Sequence, residues 1–319
     1  MNSVYHPGEL AVQAKAGVSQ EAQFLAKMIN SQLQPMAKGF LATQQIAIAT
    51  SIDRQNQVWA SLLTGEPGFI APISDRIVQI KTPPTAGDPL IENLAHHHEI
   101  GVLAIDLATR RRMRLNGWAE LLPDNFGIQL HTKQVYFNCP KYIQTRQIEP
   151  APINNGQVNS TPERSSDLSL SQREWIANAD TFFVASFDPD SRGADASHRG
   201  GMPGFIKVSS DRQLVYPDYA GNNMFNTLGN INANPASGLL FVDFNQGSTL
   251  QLTGKSKIIW DQARIQEFAG AERLVEFTIE TAIEINNATH LRWRFGEYSP
   301  FNPMVADPGA NLKQLACNA

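Results

Sequence analysis

Pro203-Gly204-Phe205-Ile206, with Ser210-Asp211 shortly after, repeats Pro67-Gly68-Phe69-Ile70 and its Ser74-Asp75 at a spacing of 136 residues throughout. The register then drifts by one residue. Gly101-Val102-Leu103-Ala104-Ile105-Asp106 stands against Gly238-Leu239-Leu240-Phe241-Val242-Asp243, and Gly117 against Gly254. Residues 138–146 lie beside 286–294 at a spacing of 148. A repeat broken by small insertions is the pattern of a duplicated module, because surface loops absorb indels that packed strands do not.

A duplication suits a chain of 319 residues, long enough for two domains. With 42% hydrophobic and 18% charged residues, a packed core is expected. A net charge of −4 and a pI near 6.0 give no basic surplus, so neither nucleic acid nor an anionic membrane is an expected partner. MNSVYHPGEL has neither a basic start nor an apolar run, and no stretch is long enough to span a bilayer. The expectation is a soluble, cytoplasmic protein. Cys139 and Cys317 offer no disulfide framework and no metal-ligand spacing.

Three parts are expected: residues 1–150 with an N-terminal arm, a helix and a first barrel; a linker at 151–170, rich in Pro, Asn, Ser and Gly; and a second barrel at 171–319. Helices are expected at 20–38 and 171–179, the latter with capping-box spacing from Ser171 to Glu174. Expected strands are 45–51, 68–73, 101–106, 112–120 and 127–138 in the first copy, and 181–187, 204–208, 238–244, 249–259 and 272–286 in the second. Val275-Glu276-Phe277-Thr278-Ile279 alternates with the period of a half-buried strand. A helix should interrupt each barrel, at 89–98 and 223–232. Many short strands between Gly and Pro turns favour a mainly β fold of small barrels over a parallel α/β sheet.

The second copy runs Asp195-Ala196-Ser197-His198-Arg199-Gly200-Gly201-Met202-Pro203-Gly204-Phe205-Ile206-Lys207-Val208, then Tyr216-Pro217-Asp218-Tyr219-Ala220-Gly221-Asn222-Asn223, a helix ending in Asn234-Pro235, and the apolar Gly238-Leu239-Leu240-Phe241. This order resembles the pyridoxamine 5′-phosphate oxidase-like, FMN-binding split barrels over most of 177–294, and more weakly over 40–146. The resemblance implies two tandem split β-barrels forming an intrachain pseudo-dimer, with flavin between them. It implies that Lys207 is the strand lysine reaching the phosphate or ribityl chain. Asn222 and Asn223 fall where the family carries a Ser-x-Lys pair, a departure that brings hydrogen bonds without charge. Ser197 and Arg199 compensate from the neighbouring loop in this reading, with Asn230 behind it. A dianionic phosphate needs such cations and amides. Taken singly, Gly200-Gly201 and Gly221 also read as turn glycines, and Asn222-Asn223 as a helix N-cap.

The first copy looks degenerate. Ala71 replaces Lys207, Leu63 replaces Arg199, and Asp88 would repel a phosphate. One flavin site per pseudo-dimer is expected, with the first copy supplying its far wall. Arg112 and Arg114, within the basic run Arg110, Arg111, Arg112 and Arg114, share one strand face and match the family's Arg-Gln-x-Arg segment. A cation there would stabilise anionic reduced flavin; the plain alternative is a solvated edge strand. Cys139-Pro140-Lys141-Tyr142 also recurs in the family. Its thiol reads as buried and inert, or as reactive if Lys141 or Arg146 lowers its pKa. Consecutive His96-His97-His98 fan out around a helix and cannot share a metal, so no metal is expected. The Arg-x-His order of pyridoxamine phosphate oxidase itself is absent from 275–294. The expectation is therefore an FMN-dependent oxidoreductase of open substrate, with no residue assigned a catalytic role, as a monomeric pseudo-dimer or a homodimer. Deazaflavin is an alternative cofactor. Haem is another, with His6, His198 or His290 as axial ligand, and a cofactor-free scaffold is the third reading.

Overall fold

The computed structural model describes residues 3–82, 85–123, 127–149, 162–190 and 193–304. Cys317, Pro83-Pro84 and most of the expected linker lie outside them. In the first half, helices α1 (Pro7–Ala16), α2 (Ser19–Leu25) and α3 (Pro35–Ala42) precede strands β1 (Ile46–Ile52), β2 (Val58–Thr64), β3 (Ile70–Pro72) and β4 (Ile77–Ile80). Helix α4 (Leu90–Leu94) and strands β5 (Glu99–Asp106), β6 (Arg111–Leu121), β7 (Ile128–Asn138) and β8 (Arg146–Glu149) follow. The second half has β9 (Glu163–Ser165), α5 (Leu170–Asn178), β10 (Thr181–Asp188), β11 (Gly193–Gly200), β12 (Lys207–Ser210) and β13 (Gln213–Tyr219). Then come α6 (Asn226–Ala233), β14 (Ala236–Val242), β15 (Thr249–Ile259), α7 (Gln262–Ile265), β16 (Ala271–Ile285) and β17 (Arg292–Phe295). Among the described residues, no helix is long and apolar enough to cross a membrane.

The fold is mainly β. Two antiparallel sheets share one strand order: β2-β1-β5-β6-β7-β4-β3 and β11-β10-β14-β15-β16-β13-β12. A third, two-stranded sheet joins the halves by pairing β8 with β17. Side-chain alternation lets each central strand serve two cores. In β1, Ala47 and Ala49 face the first barrel's interior, while Ile46, Ile48 and Ile52 face a core shared with Phe183, Ala185 and Leu240 of the second half. Each such buried aliphatic side chain contributes about 1.5–3 kcal/mol, so the two barrels form one body. They meet at glycines. A Cβ on Gly101 would lie 2.6 Å from the Ala194 carbonyl oxygen, and one on Gly238 would lie 2.5 Å from that of Val58.

Several boundaries differ from the sequence reading. The helix expected at 20–38 is broken, because Pro35 restarts it as α3 and holds Gln34 extended at ψ 159°. The capping box of α5 sits two residues earlier, from Ser169 to Gln172. The helix expected from 223 begins at Asn226, because Asn223 and Phe225 both take left-handed φ of 58°. The expected linker ends early. Its β9 covers the part of β16 that extends beyond β13, and Leu168 is buried.

Candidate functional site

A cleft opens where the two halves meet. One wall is the start of β6 with the strap 138–142; the other is β11, the end of β13, the loop 219–225 and the start of α6. It measures about 820 Å3 including the open mouth.

Arg114 forms the floor. It is buried, ion-paired with Asp195 at 3.2 Å, and donates to Tyr136 Oη and Asn226 Oδ1, each at 3.2 Å, and to Ser197 Oγ. Asp195 in turn accepts from Asn116 Nδ2 at 3.1 Å. Burial opposes the Arg114 charge, but Asp195 and Tyr136 outweigh it and raise its pKa. The floor is therefore an ionised, charge-balanced network that ties β6 of one half to β11 and α6 of the other, although Arg114 Nε is left without a hydrogen-bond partner.

Above it the charges do not balance. Among the described residues no carboxylate lies within ion-pair distance of Arg112, whose Nη1 donates instead to His198 Nδ1 at 2.9 Å. Burial, then repulsion from Arg114 and Arg199, pushes the Arg112 pKa down to about 9. The group stays a cation at neutral pH, but a cation short of an anion. His198 is buried and its pKa is lowered well below 6.5 by burial and by Arg112, so it is neutral, with its proton on Nε2. Arg199 lies 3.6 Å from Asp218, which it shares with Arg273 at 2.9 Å. The Nε atoms of Arg112 and Arg199 are buried and lack hydrogen-bond partners.

The loop facing these cations carries Gly221, Asn222 and Asn223. Asn222 Oδ1 accepts from the Met224 N–H at 3.2 Å. The N-cap of α6 is Phe225, whose side chain makes no cap. Asn226, Thr227 and Leu228, the first residues of this eight-residue helix, line the cleft, and an uncapped helix start suits an anion. The Tyr142 hydroxyl donates to the Ala220 carbonyl at 3.0 Å, and its ring lies 5.1 Å from that of Tyr219, so the strap reaches across the mouth. Tyr142 has φ 65°. Cys139 and Lys141 line the same mouth.

Arg112, Arg114, Arg199, Asn222 and Asn223 thus line one cleft. The other three residues expected there do not. Lys207 begins the edge strand β12, is 60% exposed at its side chain and pairs with Glu267 at 3.1 Å; it faces solvent. Ser197 is fully buried beneath the cleft, bonded to Arg114 and Thr227, and stands on a strand rather than a loop. Asn230 donates to Ser186 Oγ at 3.1 Å, and Asn93 makes the matching bond to Ser51 at 2.9 Å. A bond made in both halves locks helix to sheet, and Asn230 does not line the cleft. Arg146 lies elsewhere, bound to both carboxylate oxygens of Asp180. Of the three histidines considered as axial ligands, His198 lines the cleft, His6 caps α1 and His290 is exposed.

The corresponding place in the other half is closed. Gln251 stands where Arg114 does, and donates to Asp88 Oδ2 at 2.8 Å and the Ala60 carbonyl at 2.9 Å. Leu62 and Leu63 replace His198 and Arg199, and the cavity measures about 320 Å3 including open solvent, against about 820 Å3 for the cleft. Asp88 lines it, accepting also from Ser61 Oγ at 2.7 Å and the Leu90 N–H at 2.9 Å. Burial raises its pKa to about 6 against these three bonds. The sequence reading missed Asp195, Asn226 and Tyr142. Asp195 and Tyr142 lay inside stretches that resemble the family, but neither stretch assigned them a role.

Residues 171–294 match the family model described as pyridoxamine 5′-phosphate oxidase. No curated protein matches the chain. Among solved structures, HupZ of Group A Streptococcus is similar at 15% identity over 35% of this chain and 90% of its own, with a TM-score of 0.29. A putative pyridoxamine 5′-phosphate oxidase from Lactobacillus delbrueckii is 18% identical over 37% and 94%, with a TM-score of 0.30. An FMN-binding protein from Syntrophomonas wolfei is 10% identical over 36% and 84%, with a TM-score of 0.26.

Proposed function

We propose that this chain, whose residues 171–294 match the family model described as pyridoxamine 5′-phosphate oxidase, binds one flavin mononucleotide in the cleft between its halves and acts as an oxidoreductase on a small molecule. The observation that carries this reading is the surplus of positive charge: Arg112, with no carboxylate partner among the described residues, and Arg199, 3.6 Å from Asp218, face an uncapped helix start and two asparagine amides. A dianionic phosphate supplies the missing charge and accepts from all of them. The cleft, about 820 Å3 including its mouth at Tyr142, Lys141 and Cys139, leaves room for that head group and for the rest of the molecule.

Bound flavin would supply the electron transfer. The chain's own residues bind, orient and tune. Arg199, Asn222 and Asn223 hold the phosphate. Arg112 adds positive charge where a reduced flavin gains negative charge, and His198, neutral and accepting from Arg112, fixes that guanidinium without opposing it. Arg114 is the support on which both walls rest. We place the second, mirror site among those lost: Gln251, Leu62, Leu63 and Asp88 leave neither cation nor comparable space there.

The test is an absorption spectrum of the purified protein before and after incubation with FMN and gel filtration. The reading expects bound oxidised flavin at about one per chain. A protein that stays colourless after FMN loading contradicts it and favours a scaffold without cofactor; a Soret band would favour haem at His198. Retention of deazaflavin in preference to FMN would keep the cleft and change the cofactor.

A further inference from the structure

Helix α1 lies far from the cleft in sequence and reaches its walls through Glu9 and Gln13. We propose that the N-terminal arm is a working part of the flavin site, with Glu9 as a positioning residue that sets the Asn226 amide and, through it, Arg114; the proposal rests on the flavin reading.

The contacts run in one line. Asn226 Nδ2 donates to Glu9 Oε1 at 2.5 Å, and Asn226 Oδ1 accepts from Arg114 Nη1 at 3.2 Å. An asparagine amide has one donating and one accepting end. A carboxylate can only accept, so Glu9 forces the NH2 end toward itself and the oxygen toward the arginine. Without Glu9 the amide is free to turn its NH2 against a cation. Glu9 is itself held. It is 3% exposed, and its Oε2 accepts from the His6 N–H at 2.8 Å in a capping box, which leaves Oε1 for Asn226.

A second observation fixes the arm independently. Helices α1 and α6 cross with Gly8 against Gly229, so closely that a Cβ on Gly229 would overlap Cγ of Glu9 and lie 2.7 Å from its Cα. Gln13 Nε2 adds a bond to the Met224 carbonyl at 3.0 Å, in the loop that faces the cations. The arm therefore grips both the start of α6 and the loop before it, the two segments proposed to meet the phosphate.

The experiment compares FMN affinity and the visible spectrum of bound flavin in the full-length protein and three variants. Glu9→Ala should weaken FMN by about tenfold, the loss of one charge-assisted hydrogen bond's worth of positioning, and shift the bound-flavin bands. Glu9→Gln has one accepting oxygen for two donors, the His6 N–H and Asn226 Nδ2, and should also weaken FMN and shift the bound-flavin bands, by no more than Glu9→Ala does. A structural role alone would lower the melting temperature and leave the spectrum in place. Wild-type affinity and spectrum in Glu9→Ala overturn the proposal. If Glu9→Ala does not fold, Gly229→Ala decides, since it displaces Glu9 without altering any residue of the cleft; unchanged FMN binding there overturns the proposal. If wild-type protein retains no FMN, the flavin reading fails separately. The arm is then judged on the apoprotein by the Arg114 Nε–H signal in 15N NMR, which should move in Glu9→Ala, and an unmoved signal refutes the positioning role.

Discussion

Replacing Arg114 by Gln converts the floor of the open cleft into its closed counterpart, where Gln251 stands. The cost follows from what is left behind. Asp195 is 2% exposed, and without the guanidinium it retains Asn116 Nδ2 at 3.1 Å and the hydroxyls of Ser197 and Thr227 at 3.4 Å. Removing one partner of a buried pair costs about 3–5 kcal/mol, here because a buried carboxylate loses its cation. Arg114→Gln should therefore lower the unfolding free energy by about that amount in urea titration, and abolish FMN retention. Asp195→Asn added to it removes the stranded charge. The double variant should be more stable than Arg114→Gln alone, with a coupling energy of about 2 kcal/mol in the mutant cycle. A loss below about 1 kcal/mol, or strictly additive effects, would refute the account of the floor as a charge-balanced joint between the halves.

Other outcomes follow from the same geometry. Lys207→Ala should leave FMN affinity unchanged, because its exposed pair with Glu267 is worth at most about 1 kcal/mol and faces solvent; a tenfold loss in a binding titration would return it to the site. Gly101→Ala should destabilise by about 1–3 kcal/mol, since the added methyl meets the Ala194 backbone and forces the barrels apart; thermal unfolding reports it, and an unchanged Tm would contradict so close an approach. The folded-state pKa of Asp88 is raised to about 6, so the folded state holds its proton more tightly than the unfolded chain. Its stabilising contribution is complete below about pH 4 and lost as pH rises through about 6. Wild type should thus lose stability relative to Asp88→Asn between pH 4 and 7 in urea unfolding, and a difference independent of pH would show that the carboxyl stays ionised.

The sheets were legible in sequence because their physics is periodic. Alternation in β16 and the repeated Gly-anchored apolar runs of β5 and β14 marked their strands within a few residues of where they fall. Strand β11 was not legible. Ala194-Asp195-Ala196-Ser197-His198-Arg199 looks like a polar loop, yet its alanines face the core between the barrels while Asp195 and Ser197 face the Arg114 network. Its pattern makes sense only once a second barrel and a buried cation cover its two faces. Lys207 misled for a related reason: it ends an apolar run, as a ligand-bearing strand would, but that strand lies at the sheet edge farthest in strand order from β11. Asn230 looked like a site residue until its counterpart Asn93 showed the same bond. The Glu9 to Asn226 contact spans 217 residues, and no local pattern predicts it.

The most direct test of the account is an equilibrium titration of FMN into the wild-type chain and into Arg199→Ala, followed by flavin fluorescence. The account predicts saturation at about one FMN per chain, and a weakening of about one to two decades in the variant, since a charge-assisted phosphate bond contributes about 1.5–3 kcal/mol. Two equal sites per chain, or an Arg199→Ala protein that binds as tightly as wild type, would contradict a single phosphate-binding cleft built from both halves.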